Sequence, residues 1–245
     1  MTGSAADERP FPYADYAHAN SALLDALDGP CFYALVVGAS GTGKTCLVRQ
    51  LSAELDRRRH HIAYLSSARA SVTAIVHLLA RRLHLRPRRS HLECVEALTH
   101  VMAAHHARLL LWLDDAEQVT LSTLEQLRTL VEADLAAPSF NVVIAGQPAL
   151  QSRLDSPRLS ALARRITLHC RLAGLHRDEL DAFLVHRFGS NNAARLPRSV
   201  HDELFERTNA VPALVDSVVR RLLALPHQGA IDDDQVRTIL DRAGL

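Results

Sequence analysis

Aromatic side chains are scarce in this sequence, at 4% of 245 residues, so a core would have to be packed by aliphatic side chains. Cysteine is sparse as well: Cys31, Cys46, Cys94 and Cys170 are scattered and form no C-x-x-C pair. That spacing argues against a zinc ribbon or a disulfide framework and suits a reducing compartment. No uncharged apolar run approaches about 18 residues, so neither a transmembrane helix nor a membrane partner is expected. Residues Met1 to Pro12 contain Asp7, Glu8 and two prolines but no apolar segment, which is not the pattern of a signal peptide. The expected location is the cytoplasm. An excess of one charge is missing too: the formal net charge is +1, giving no global pull towards nucleic acid or an anionic surface. The 14 histidines include no H-E-x-x-H, and Glu96 with His100 reads as a surface pair rather than a metal site.

What is present is an alternation of short apolar runs with helical patterns. A helix is expected from about Asp15 to Leu27, stopping at Asp28-Gly29-Pro30. Cys31 to Val37 reads as a buried strand, and Thr45 to about Arg58 as a helix with Leu47, Leu51 and Leu55 on one face. Further strands are expected at His61–Ser66, Leu109–Leu113, Phe140–Ala145 and Arg165–Leu172. Helices fall between them at Ser71–Leu83, Ser90–His106 and Leu121–Leu135. Strands alternating with helices imply a parallel sheet covered on both faces. After about Ala173 the strand signals stop, and helices are expected at Asp178–Phe188, Arg198–Thr208, Pro212–Leu225 and Asp232–Arg242. The expected organisation is a flexible arm over 1–14, an α/β core over 15–172 and a small all-helical lid over 173–245.

The strongest chemical signal is Gly38-Ala39-Ser40-Gly41-Thr42-Gly43-Lys44-Thr45, placed between a strand and a helix. A triphosphate needs many donors on closely spaced oxygens. A glycine-rich turn supplies backbone N–H groups at close approach, and the helix that begins there adds its N-terminal dipole. This is a complete Walker A loop for a nucleoside triphosphate, and the nucleotide-binding set runs on through Cys46. Lys44 would reach the β- and γ-phosphates, and the Thr45 hydroxyl would bind Mg²⁺.

The strand Leu109-Leu110-Leu111-Trp112-Leu113 ends in Asp114-Asp115, which fits a Walker B pattern, although two aspartates there would also suit a helix cap. In the Walker B reading Asp114 holds the metal and Asp115 polarises the attacking water. Gln147, at the tip of the fourth strand, is either a γ-phosphate sensor or a polar turn residue in Gly146-Gln147-Pro148. Arg164-Arg165, just before the fifth strand, is either an arginine finger for a neighbouring subunit's nucleotide or a solvated basic pair. Two basic clusters remain: Arg57-Arg58-Arg59-His60-His61, and Arg81-Arg82 with Arg86, Arg88 and Arg89. They read either as caps at helix C-termini or as a non-specific DNA contact surface; with little aromatic interleaving, single-strand stacking is not indicated.

With these landmarks placed, the chain resembles the ExeA-type branch of the AAA+ ATPases from about Tyr16 to Ile239. That branch is similar to the TniB, TnsC and MuB group of transposition regulators. The resemblance lies in GASGTGKT, LLLWLDDAEQ, NVVIAGQPALQSRL, LSALARRITLHCRLAGLHRDELDAFLVHRF and TNAVPALVDSVVRRLL. It implies a P-loop α/β core plus helical lid, with ATP and Mg²⁺ bound between subunits of a homo-oligomeric ring or filament. It also implies that Arg164 or Arg165 acts in trans. For the transposition relatives it implies ATP-dependent assembly on duplex DNA and recruitment of a transposase or other client. For the secretion relatives it implies a membrane-linked assembly ATPase with a transmembrane segment and a cell-wall-binding region after the ATPase module. Neither follows in these residues, which tilts the expectation towards DNA.

Two departures bear on turnover. The family usually has Asp-Glu where this chain has Asp114-Asp115, and a carboxylate one methylene shorter makes slow hydrolysis the expectation. The family also usually reads Gly-x-Pro-Arg where this chain reads Ala210-Val211-Pro212-Ala213, so the sensor arginine is replaced by Ala213 unless Arg220 or Arg221 reaches in. The alternatives to a DNA regulator are a nucleotide-gated assembly ATPase of a secretion system and an ATP-binding scaffold without turnover.

Overall fold

Short apolar runs that end in glycine or acid become the strands of one parallel sheet. The structure, a computed structural model, describes residues 10–66, 71–86, 90–131, 140–225 and 230–245. In chain order the elements are α1 (Ala14–Asp28), β1 (Tyr33–Gly38), α2 (Lys44–Glu54), β2 (His60–Ser66), α3 (Val72–Arg82), α4 (His91–His105), β3 (Arg108–Asp114) and α5 (Leu121–Val131). They continue with β4 (Asn141–Gly146), α6 (Ala149–Leu154), α7 (Ser160–Ala163), β5 (Ile166–Leu172), α8 (Leu180–Ala193), α9 (Arg198–Arg207), α10 (Pro212–Leu223) and α11 (Asp233–Ala243). The five strands pair in parallel in the order β2-β3-β4-β1-β5.

Burial follows from that order. β4 is buried along its whole length and β3 in all but its first residue, as strands covered on both faces must be. The edge strands are mixed: β5 alternates buried and exposed positions, and β2 is mostly half-buried. The α/β fold expected from the alternation is the one observed, and the strands and helices lie close to their expected places.

Three differences are instructive. The helix expected to reach Arg58 stops at Glu54. Asp56 ends it: its carboxylate accepts from the Arg58 N–H and its carbonyl accepts from Arg59 and His60, a local turn that competes with the helix. Arg57, Arg58 and Arg59 therefore sit in a turn rather than on a helix terminus. The stretch between β4 and β5, unassigned from sequence, folds into α6, a 3-10 turn at Pro157–Leu159 and α7, which bury Leu150, Leu154, Leu159 and Leu162. The last residues of the helix expected to reach Leu135, together with Arg88 and Arg89, lie outside the described residues.

By its contacts the chain divides into two units. One holds residues 18–39 and 44–172, with the sheet and a continuous aliphatic core that includes Leu35, Ile75, Leu98, Leu111, Leu127 and Ile144. The other holds residues 173–245 with the segment up to Ala17 and residues 40–43. In this helical unit α10 buries Val215, Val218, Val219 and Leu222, and α11 buries Val236, Ile239 and Leu240. Asp232 opens α11 with a capping box to Gln235. Of the stretch expected to be a flexible arm, residues 1–9 lie outside the described residues, whereas residues 10–14 are ordered by packing. The ring of Phe11 meets that of Phe183 edge-on at 5.6 Å, and Tyr13 is 2% exposed. Among the described residues no helix is long and apolar enough to cross a membrane.

Candidate functional site

β1 delivers the chain to Gly38 and α2 starts at Lys44, so the strand–loop–helix setting is present. Lys44 is buried, and its ammonium donates to the carbonyls of Gly38 at 2.7 Å and Ala39 at 3.0 Å. Burial pulls the Lys44 pKa down, and the nearby carboxylates of Asp114, Glu117 and Asp115 partly restore it. β3 brings Asp114 to the same end of the sheet, where it is 3% exposed. Its Oδ2 accepts from the Thr45 hydroxyl at 2.9 Å and from the Tyr64 hydroxyl at 2.8 Å, and its Oδ1 accepts from the Asp115 N–H at 3.1 Å. Lys44 and Thr45 of the Walker A loop and Asp114 of the Walker B strand, separate motifs in the sequence, are thus brought together in one constellation.

Asp115 lies beside it with φ 51°, in the left-handed region, which Asp enters more readily than Glu. This backbone offers a physical reason for the Asp-for-Glu departure. Burial raises the Asp115 pKa, Asp114 and Glu117 raise it further, and Lys44 opposes them. Sequence reasoning missed Glu117. It sits on a 3-10 turn (Ala116–Gln118), where its Oε2 accepts from the Gln147 N–H at 3.0 Å and its Oε1 is buried without a hydrogen-bond partner. It also passes over Gly146, where an added Cβ would lie 2.4 Å from Oε2. Its only sequence signal was an acid closely following Asp114-Asp115, and a surface helix would give the same pattern. Tyr64 was missed for the same reason, as an apolar strand residue.

The hydroxyl of Thr45 and the carboxylate of Asp114 are hard oxygen donors suited to Mg²⁺. No group of three or more His, Cys, Asp and Glu side chains among the described residues is placed to hold a metal.

The loop tip belongs to the helical unit. Gly41 and Gly43 have φ of 87° and 103°, which favour glycine. The Gly41 carbonyl accepts from the Ala213 N–H at 3.3 Å, and a Cβ at Gly41 would lie 2.8 Å from the Ala213 Cβ. Thr42 is fully buried, and its carbonyl accepts from the Tyr13 hydroxyl at 2.7 Å. Ser40 and Cys46 are exposed and Ala39 is half-buried. Arg220 pairs with Asp216 at 2.7 Å and lies over the Phe188 ring. Arg221 is exposed on α10.

Gln147 is exposed at the end of β4, and Arg164 and Arg165 are exposed in the turn before β5. The basic clusters come together: Arg57, His60 and His61 from the first, and Arg81 and Arg82 from the second, line one cavity of about 810 Å³ at the β2 edge. Arg58, Arg59 and Arg86 are exposed but do not line it.

The AAA domain family profile matches residues 31–154. Over 220 residues the chain is 28% identical to general secretion pathway protein A of Aeromonas hydrophila, covering 84% of this chain and 38% of that protein. Among solved structures, Cdc6p of Pyrobaculum aerophilum superposes with a TM-score of 0.64 at 20% identity, over 90% of this chain and 64% of that one. The Aeropyrum pernix ORC1 protein, solved in complex with DNA, gives 0.60 at 16% identity, over 96% and 65%. The chain spans under two fifths of the secretion protein and under two thirds of Cdc6p. Its parallel five-stranded sheet, its phosphate loop and the matched profile place the chain in the AAA domain family of P-loop nucleotide-binding proteins.

Proposed function

We propose that this chain is an ATP-binding, slowly hydrolysing AAA+ ATPase that oligomerises with ATP on duplex DNA and regulates transposition by recruiting a transposase. The observation that carries the ATPase reading is the Thr45–Asp114 hydrogen bond beside buried Lys44, which unites both nucleotide motifs. Lys44 carries the charge that neutralises the terminal phosphates, and loop N–H groups bind them. Thr45 and Asp114 would hold Mg²⁺, whose chemistry is to neutralise charge building on the phosphate oxygens. Asp115 accepts the proton of the attacking water, and Glu117 fixes the Gln147 backbone beside it. Arg164 or Arg165 of a neighbouring copy supplies positive charge in trans. The range 173–245 acts as the lid, and the protein works in the cytoplasm.

The DNA part draws support from the convergence of the two basic clusters, from the resemblance to transposition regulators and from the DNA-bound ORC1 relative. The test is fluorescence anisotropy of a labelled duplex at low and moderate salt, with no nucleotide, ADP or a non-hydrolysable ATP analogue. Binding is expected only with the ATP analogue and is expected to disappear in Lys44→Ala. Absence of binding in every state would sink the DNA reading. The second reading is an assembly ATPase of a secretion system, favoured by the 28% identity to the secretion protein across 84% of this chain. Under it the nucleotide cycle survives and the client is a protein.

A further inference from the structure

The cavity at the β2 edge is a second charged site within the α/β unit. Arg49 reaches it from α2, Arg57 from the turn after α2, His60 and His61 from β2, and Arg81 and Arg82 from the end of α3. Among the described residues no carboxylate lines it. Among the described residues, too, none of these arginines forms an ion pair, in contrast to the arginines of the helical unit: Arg177, Arg187, Arg207, Arg220 and Arg237 all face carboxylates. Both ring nitrogens of His60 are buried without a hydrogen-bond partner. Burial lowers the His61 pKa, and His84 and His60 lower it further, so this ring adds a polar wall rather than a fixed charge. Guanidinium groups without an ion pair, gathered around one concavity, leave an unmet demand for anionic acceptors.

The cavity also touches the nucleotide site. Thr45 and Tyr64 line one end of it. The Tyr64 hydroxyl donates to the same Asp114 oxygen that accepts from Thr45. α2 provides a second link, since it begins at Lys44 and carries Val48, Arg49 and Ser52 into the cavity wall.

We propose that this cavity binds the phosphodiester backbone of duplex DNA and that Tyr64 reports its occupancy to Asp114. The inference rests on the DNA reading above and gives it an address. Arginine rather than lysine supplies the fixed charge, and its planar fork suits phosphate oxygens. The arginine charges come from three successive segments of chain, α2, the turn after it and the end of α3, which suits a line of phosphates better than a single carboxylate. Among the described lining residues Tyr64 is the one Phe, Tyr or Trp, so a platform for stacking successive bases is not what the cavity offers. Tyr64 is a positioning residue: backbone bound against its ring would shift the hydroxyl, and with it Asp114.

The test compares wild type, the triple variant Arg57→Ala/Arg81→Ala/Arg82→Ala and Tyr64→Phe. Duplex binding is followed with the ATP analogue between about 50 and 200 mM salt, and hydrolysis with and without duplex. The triple variant should bind at least about tenfold more weakly, with a log–log salt slope shallower by about 0.9 for each phosphate it no longer neutralises. Its DNA-free hydrolysis should be unchanged, which reports an intact fold. Tyr64→Phe should bind duplex like wild type while the ratio of DNA-stimulated to DNA-free hydrolysis falls towards one. If wild type binds duplex and the triple variant binds equally with the same slope, the cavity assignment is overturned and the DNA reading stands. If Tyr64→Phe keeps full stimulation, the coupling is overturned. If wild type binds polyglutamate but no duplex, and the triple variant loses that binding, the DNA reading fails and the cavity passes to an acidic protein partner.

Discussion

Two charged regions of the α/β unit meet at Tyr64, and they are built on opposite principles. At the phosphate loop, one buried ammonium, Lys44, faces the carboxylates of Asp114, Asp115 and Glu117. At the β2 edge, arginines and histidines gather with no carboxylate among the described lining residues. The first set is fixed by internal hydrogen bonds, with Lys44 held by the loop carbonyls and Asp114 accepting three hydrogen bonds. The second is unpaired. A set held by internal hydrogen bonds is organised before a ligand arrives and is suited to chemistry, which depends on fixed geometry. An unpaired, half-exposed set gains its counter-charge from the ligand and is suited to binding that salt can screen.

The contrast breaks most visibly at Lys44. Lys44→Ala removes the one cation of the first set and should lower ATP hydrolysis by at least about a hundredfold, read by steady-state phosphate release. Near-normal hydrolysis in that variant would place the chemistry elsewhere. The triple arginine variant is next, with duplex affinity expected to fall about tenfold at unchanged DNA-free turnover. The two variants should therefore separate the regions cleanly: one loses both activities, the other only DNA binding.

Smaller effects sharpen the acidic side. Asp115→Glu restores the longer carboxylate and should raise hydrolysis several-fold. The left-handed backbone at 115 should make the same change cost about 1 kcal/mol of stability, visible as a lower Tm. An unchanged rate would show that the short side chain is not what slows turnover. Glu117→Gln keeps an acceptor for the Gln147 N–H but removes one negative neighbour of Asp115. As the proton acceptor Asp115 must be ionised, so hydrolysis falls as pH drops through its raised pKa. Losing the Glu117 charge lowers that pKa, and the acid limb of the pH–rate profile should move to lower pH. A limb that stays in place would remove Glu117 from the electrostatics of the site.

Much of the fold was readable because its signals are local. The runs Cys31–Val37, Leu109–Leu113 and Phe140–Ala145 are too short and too apolar for surface helices, and each supplied a strand buried in the sheet. The loop between Gly38 and Thr45 was readable because phosphate binding needs glycines and a helix start within eight residues. The segment from Gln147 to Arg165 was not readable, since its helices are one to two turns long and their apolar residues show no sustained period. The stop of α2 at Glu54 was hidden because Asp56 ends it by hydrogen bonds to its own neighbours, which compete evenly with helix continuation.

The sequence by itself determined the alternation of strands and helices, the phosphate loop and the acidic strand end, because each is encoded in residues adjacent along the chain. The tertiary structure alone decided that β2 lies at the sheet edge, that Tyr64 and Thr45 share Asp114, that Glu117 reaches the end of β4 and that two distant basic segments line one cavity. Those are pairings between strands and between segments tens of residues apart. They are selected by how the whole sheet buries its apolar faces rather than by any local preference, and the functional contacts follow from that choice of strand order.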